Sequence, residues 1–159
     1  MTTKTQTPID DDLARFLESG LAITVATRDG EMQPDGSWAW ALRVEEGGSE
    51  VSVFLYEEAA AAMLRNLGSH PEIAIVLDQP TSHRACQVKG SFLSSRTARP
   101  EERAEIERQV GLLRADLAAI GLPEGMTAGW VLWPATALRV RVTDVFEQTP
   151  GPGTGGKLQ

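Results

Sequence analysis

Four polar side chains crowd one short stretch of the chain, His83, Arg84, Gln87 and Lys89 within HRACQVKG. In a strand, period-two alternation puts residues 83, 85, 87 and 89 on one face and turns Arg84 to the other. His83, Gln87 and Lys89 then line up as a row of hydrogen-bond donors, a set suited to binding rather than to breaking bonds. A half-buried strand hydrated on one side shows the same row, and the residues taken alone favour that plainer reading. None of them is indispensable as an acid or base, so no catalytic residue is named. Cys86 is the single cysteine and reads as a small buried apolar residue of the strand. His70 and His83, with one cysteine, do not make a zinc site, and no metal is expected. The Gly-rich PGPGTGG lacks the following Lys-Ser/Thr and helix of a phosphate-binding loop. The carboxylates from Glu101 to Glu107 fall at a helix start, where they complement the dipole as a solvated face.

The elements that must position these residues belong to a chain of ordinary soluble composition, with 159 residues, 42% hydrophobic and 23% charged. The length predicts a single domain over 1–149, followed by a flexible Pro/Gly-rich tail over 150–159. A formal charge of −7 argues against a nucleic-acid partner, which would require clustered Lys and Arg. No apolar run approaches the roughly 20 residues that cross a bilayer, so no membrane partner is expected. The polar start MTTKTQTPIDDD and the lone thiol point to the cytoplasm.

A short helix is predicted over about 11–19, with Leu13, Phe16 and Leu17 on one face and Gly20 as its stop. Strands follow at LAITVAT (21–27), SWAWALRV (37–44) and VSVFLY (51–56). The Asp29-Gly30 turn between the first two supplies the positive φ of a hairpin. An alanine-rich helix ends at Asn66-Leu67-Gly68, and His70-Pro71 breaks the chain in a structural turn. Then come the strands EIAIVLD (72–78) and HRACQVKGSFLSS. The longest helix starts at Arg99-Pro100 and carries Ile106, Val110, Leu113, Leu117 and Ile120 in one stripe. WVLW (130–133) and LRVRVTDVF (138–146) read as closing strands. The whole predicts a mainly β fold with accessory helices, a six-stranded antiparallel barrel too narrow for an internal ligand.

The order and spacing of LARFLESGLAITVAT, the Gly30 and Pro34 hairpin, VSVFLY, RNLGSHPEIAIVL and HRACQVKGSF resemble the pyridoxamine-phosphate-oxidase-like, FMN-binding split-barrel family. The arginine-rich C-terminal substrate segment of pyridoxamine-phosphate oxidase itself is missing. The resemblance implies a split β-barrel that binds FMN at a homodimer interface and uses it for redox chemistry. It implies that Trp38 and Trp40 lie near the flavin ring, with Ala39 and Ala41 on the small opposite face. A Trp-x-Trp pair in a strand is otherwise plain core or dimer interface. It implies that His83, Arg84, Gln87 and Lys89 reach the ring or phosphate. The phosphate-holding cation of the family is absent from Ala59 to Ala62, behind Glu57-Glu58, with Arg65 one turn on.

Two functions follow as expectations. The first is a flavin-dependent oxidoreductase with FMN at the dimer interface. The alternative is a split barrel that has lost flavin and serves as a binding module, or takes haem through His83. Four tryptophans (38, 40, 130 and 133) exceed what a six-stranded interior can hold. A homodimer burying well over ~1,500 Å² is therefore expected.

Overall fold

The computed structural model describes residues 9–158. Helix α1 (Asp11–Leu17) starts where the Asp10 carboxylate accepts the Leu13 N–H at 2.8 Å, a donor otherwise unpaired at a helix start. Leu13, Phe16 and Leu17 are its buried residues, and Gly20 follows at φ 83°. Strands β1 (Ala22–Arg28), β2 (Pro34–Ala39), β3 (Ala41–Val44) and β4 (Glu50–Tyr56) lead into helix α2 (Glu57–Leu67). Strands β5 (Glu72–Asp78) and β6 (Ala85–Thr97) come next. A 3₁₀ turn (Pro100–Glu102) opens helix α3 (Arg103–Ala119), and β7 (Ala135–Glu147) follows.

The strands form one antiparallel sheet in the order β2-β1-β5-β6-β7-β4-β3. Its two edge strands, β2 and β3, are separated by Trp40 alone, whose N–H donates to the Phe54 carbonyl at 2.8 Å. They are one bent segment, so the sheet curls on itself into the expected split barrel, with seven strands because SWAWALRV is cut at Trp40 while 130–133 adds none. Alternate residues of every wall fill the interior: Ile23, Val25, Leu42, Val53, Ile75, Leu77, Val88, Leu138 and Val140 are buried. Buried residues of α1 and of α2 (Ala60, Met63 and Leu67) join the same core.

The open edge of β3 is closed by side chains. Gln109 on α3, fully buried, accepts the Leu42 N–H at 3.1 Å and donates its amide to the Leu42 carbonyl at 2.9 Å. The Glu18 carboxylate accepts the Val44 N–H at 2.7 Å. An amide thus plays the neighbouring strand, satisfying backbone groups that an edge leaves unpaired. Gly90 lets β6 approach β7 where their register shifts, since a β-carbon there would lie 2.4 Å from the Arg141 carbonyl.

Several expectations are corrected. Residues 130–133 form no strand: Trp130 packs on Trp40 with ring centres 5.2 Å apart. The guanidinium groups of Arg114 and Arg103 lie 5.7 Å from the Trp130 and Trp133 ring centres. Stacking against α3 holds this segment, so it needs no ladder. Trp40 and Trp133 pack on a second core of Ala41, Phe54, Ile106, Ala135 and Ala137, outside the barrel wall. That accounts within one chain for three of the four tryptophans. The positive φ of the β1–β2 turn falls on Met32 (64°) rather than Gly30, because the Asp29 carboxylate gathers the Glu31 and Gln33 N–H groups. The α3 stripe is buried at Ile106, Val110 and Leu113 only. The helix ends at Ala119, which leaves Ile120 exposed at its cap. Residues 151–155 turn the tail back, and the Leu158 N–H donates to the Val145 carbonyl at 2.7 Å. Among the described residues no helix is long and apolar enough to cross a membrane.

Candidate functional site

The barrel's outer wall is covered on one side only. The second core and α3 lie over part of β3, β4 and β7, while among the described residues the outward side chains of β2, β1, β5 and β6 stay exposed or half-buried. Two rows of outward side chains cross that bare wall in register. One runs Trp38, Thr24, Val76, Gln87 and Phe146; the next runs Gly36, Ala26, Ala74, Lys89 and Asp144. The first row is bulky and the second is small as far as Ala74, so the wall has a step in it. Trp38 stands above that step at 60% exposure.

Beside the step lies an open groove of about 430 Å³, floored by Ala26 and Ala74 and walled by Arg28, Lys89, Ser91 and Thr143. The Lys89 ammonium rests 5.3 Å from the Phe146 ring centre, an attraction that holds it at the groove's rim. Arg28 is paired with Glu72 at 3.6 Å. Where the groove meets α2, the Asn66 amide donates to the Thr27 hydroxyl at 3.1 Å, fixing the helix's end against β1.

Of the residues singled out in the sequence, Trp38, Gln87 and Lys89 come together on this bare wall. Trp40 does not; it turns into the second core, with its indole N–H buried and without a partner among the described residues. His83 is not on the strand face. It is exposed in the turn before β6 at φ 59°, its N–H bonded to the Gln79 carbonyl at 2.9 Å, because the Gln79-Pro80 turn runs on to residue 84. The alternation therefore begins at Ala85, and His83 drops out of the donor row. Arg84 lies with its guanidinium 3.9 Å from the Phe16 ring centre, packed on α1. Arg65 is exposed on α2, its guanidinium reaching back to the Ala61 carbonyl at 3.3 Å. It thereby carries a positive charge to the alanine stretch that has none of its own.

Cys86 is buried in β6, and burial, with Glu147 nearby, pushes its thiol up to about 12. A thiol held protonated is not a nucleophile. Native protein is expected to resist a disulfide reagent at pH 8 and to react in full once unfolded in guanidinium. Rapid labelling of the native protein would contradict this placement.

No protein-family model matches the sequence, and no curated protein matches it either. Solved structures do. Group A Streptococcus HupZ aligns over 92% of this chain and 99% of its own, with a TM-score of 0.55 at 14% identity. A Lactobacillus delbrueckii protein described as a candidate pyridoxamine 5'-phosphate oxidase aligns over 90% and 97%, with a TM-score of 0.54 at 12% identity. The chain has the pyridoxamine-phosphate-oxidase-like split-barrel fold. An FMN-binding protein from Syntrophomonas wolfei shares this split barrel over 84% of the chain and 82% of its own, with a TM-score of 0.51 at 13% identity. At such identities the shared property is the fold.

Proposed function

We propose that the protein binds FMN on the bare wall and acts as a flavin-dependent oxidoreductase, with a second copy of the chain covering the cofactor. The observation that carries this reading is the stepped wall. Gly36, Ala26 and Ala74 make a floor flat and small enough for a planar ring, between Trp38 on one side and the Gln87 amide and Lys89 ammonium on the other. The fold supports it, since a Syntrophomonas protein with the same barrel is FMN-binding by description. The flavin supplies electron or hydride transfer when bound. The chain's own residues bind and orient it: Trp38 by ring contact, Gln87 and Lys89 by donating hydrogen bonds to its polar edge. Arg65 is the cation placed to meet the phosphate, standing in for the one missing from Ala59 to Ala62. The dimer follows from Trp38, whose exposure in a single chain is that of an interface side chain. No observation at His83, exposed in its turn, favours haem.

The test is a titration with FMN followed by visible spectrum and melting temperature. A bound yellow fraction and a raised melting temperature are expected, with affinity about tenfold weaker in Lys89→Gln and about tenfold stronger in Ala62→Lys, one charge-assisted contact each. Riboflavin, which has no phosphate, is expected to ignore Ala62→Lys. Absence of any flavin-dependent shift would end this reading.

A further inference from the structure

A second row of outward residues crosses the barrel on its other side, and its chemistry is different. Arg43, Ser52, Arg139 and Ser94 are register partners across β3, β4, β7 and β6. Together with Ser95, Arg96 and Arg99 they line a cavity of about 360 Å³. Four arginines from separate segments thus line one hollow of a chain whose net charge is −7. Among the described residues the only carboxylate in the lining is Glu45, already engaged by Arg43 at 3.1 Å and by the Ser52 hydroxyl.

The arginines are held in place from behind. Glu102, 7% exposed, takes a two-pronged contact from Arg96, both at 2.7 Å, and a third from Arg43 at 2.9 Å. Arg139 is fixed through its Nε to Glu50 at 2.6 Å. Arg99 forms no ion pair among the described residues. Three carboxylates, Glu45, Glu102 and Glu50, are set against these four arginines, which leaves the cluster with one positive charge in excess, that of Arg99.

We propose that this cavity binds a phosphate-type oxyanion. A tetrahedral group presents oxygens to several directions at once, matching donors that arrive from β3, β6, β7 and the segment before α3; a planar carboxylate would meet one fork. The volume exceeds that of inorganic phosphate and leaves room for a small organic group, so the source is either free phosphate or the phosphoryl group of a small phosphomonoester. The site is independent of the flavin reading, since none of its residues lies on the bare wall.

Calorimetric titration of the full chain at low ionic strength with inorganic phosphate, and separately with glycerol 3-phosphate, tests this. Saturable binding of one anion per chain is expected, at least fivefold weaker in Arg99→Gln and in Arg139→Gln and unchanged in Lys89→Gln. Arg99 is exposed and forms no ion pair among the described residues, so its variant is expected to fold, with melting temperature as the check. Tighter binding of glycerol 3-phosphate assigns the site to phosphomonoesters, and equal or weaker binding to free phosphate. No saturable binding, or binding lost in Lys89→Gln and retained in Arg99→Gln, would overturn the proposal, the second result by moving the anion to the flavin groove.

Discussion

Replacing Gln109 by leucine is expected to cost about 3 kcal/mol of folding stability, because the main-chain N–H and carbonyl of Leu42 both lose the amide that bonds them. The side chain is 1% exposed and bonds both the N–H and the carbonyl of Leu42. Leucine fills nearly the same volume, so little of the loss comes from a cavity. The Glu105 carboxylate, which accepts from the same amide at 2.8 Å, loses a partner as well but keeps Arg108. Urea unfolding reads the loss as a lower midpoint at an unchanged slope. Gln109→Glu restores one acceptor for the Leu42 N–H but sets a carboxylate against the Leu42 carbonyl, and is expected to be no better than leucine. A near-neutral Gln109→Leu would mean that the edge of β3 finds other partners and that α3 is not what closes it.

The second large effect is electrostatic. Glu102 is held down to about 2 from an ordinary value of 4.5, first by hydrogen bonds from Arg96, then by the Arg99 N–H and Arg43, against the opposing cost of burial. A carboxyl with a depressed folded pKa adds stability that is fully present above its unfolded value. That stability is lost as pH falls from about 4.5 towards 2. After allowance for screening of partners a third exposed, the contribution is about 2 kcal/mol. Glu102→Gln is expected to be less stable by about that amount at pH 7, and the gap to the unmodified protein is expected to close as pH approaches 2. Other carboxylates held low, Glu45 and Glu105 among them, also feed acid unfolding, so the difference between the two proteins is the quantity to follow. A gap that stays constant from pH 7 to pH 2 would show that packing, and not charge, is what Glu102 contributes.

How far the sequence reveals this fold depends on which force sets each element. Strand β5 matches its expectation end to end, because EIAIVLD alternates without interruption and one face must be buried. Helix α2 likewise follows from Glu57-Glu58 at one end and Asn66-Leu67-Gly68 at the other. The 130–133 segment misleads because aromatic and β-branched residues mark strands only when a ladder is available. Here Gly129 and Pro134 bound a stretch whose rings stack on α3 and Trp40 instead. His83 is misplaced by the same reliance on alternation, which carries no sign of where a turn ends. Gln109 shows the opposite failure. It looks like a surface residue, yet it lies three residues after Ile106 and four before Leu113, on the buried face. Periodicity put it in the core, and its polarity is the sign that backbone groups wait for it there. The arginine cavity is illegible in one dimension, since Arg43, Ser52, Arg139 and Ser94 meet only through register across four strands.

The position of β7 has a consequence for how the molecule is made. It lies between β6 and β4 in the sheet, yet it is the last strand in chain order. Until it is in place, β2-β1-β5-β6 and β3-β4 are two separate ladders joined by the chain at Trp40 and through α2. A polypeptide leaving the ribosome can therefore assemble both parts early, but the cylinder stays unclosed until residue 147 has emerged. Pairings as distant as Ser52 with Arg139 come last, after most of the loop entropy has been lost. Nascent chains halted before β7 expose the inner faces of both ladders, the kind of surface that chaperones hold and that aggregates when they do not.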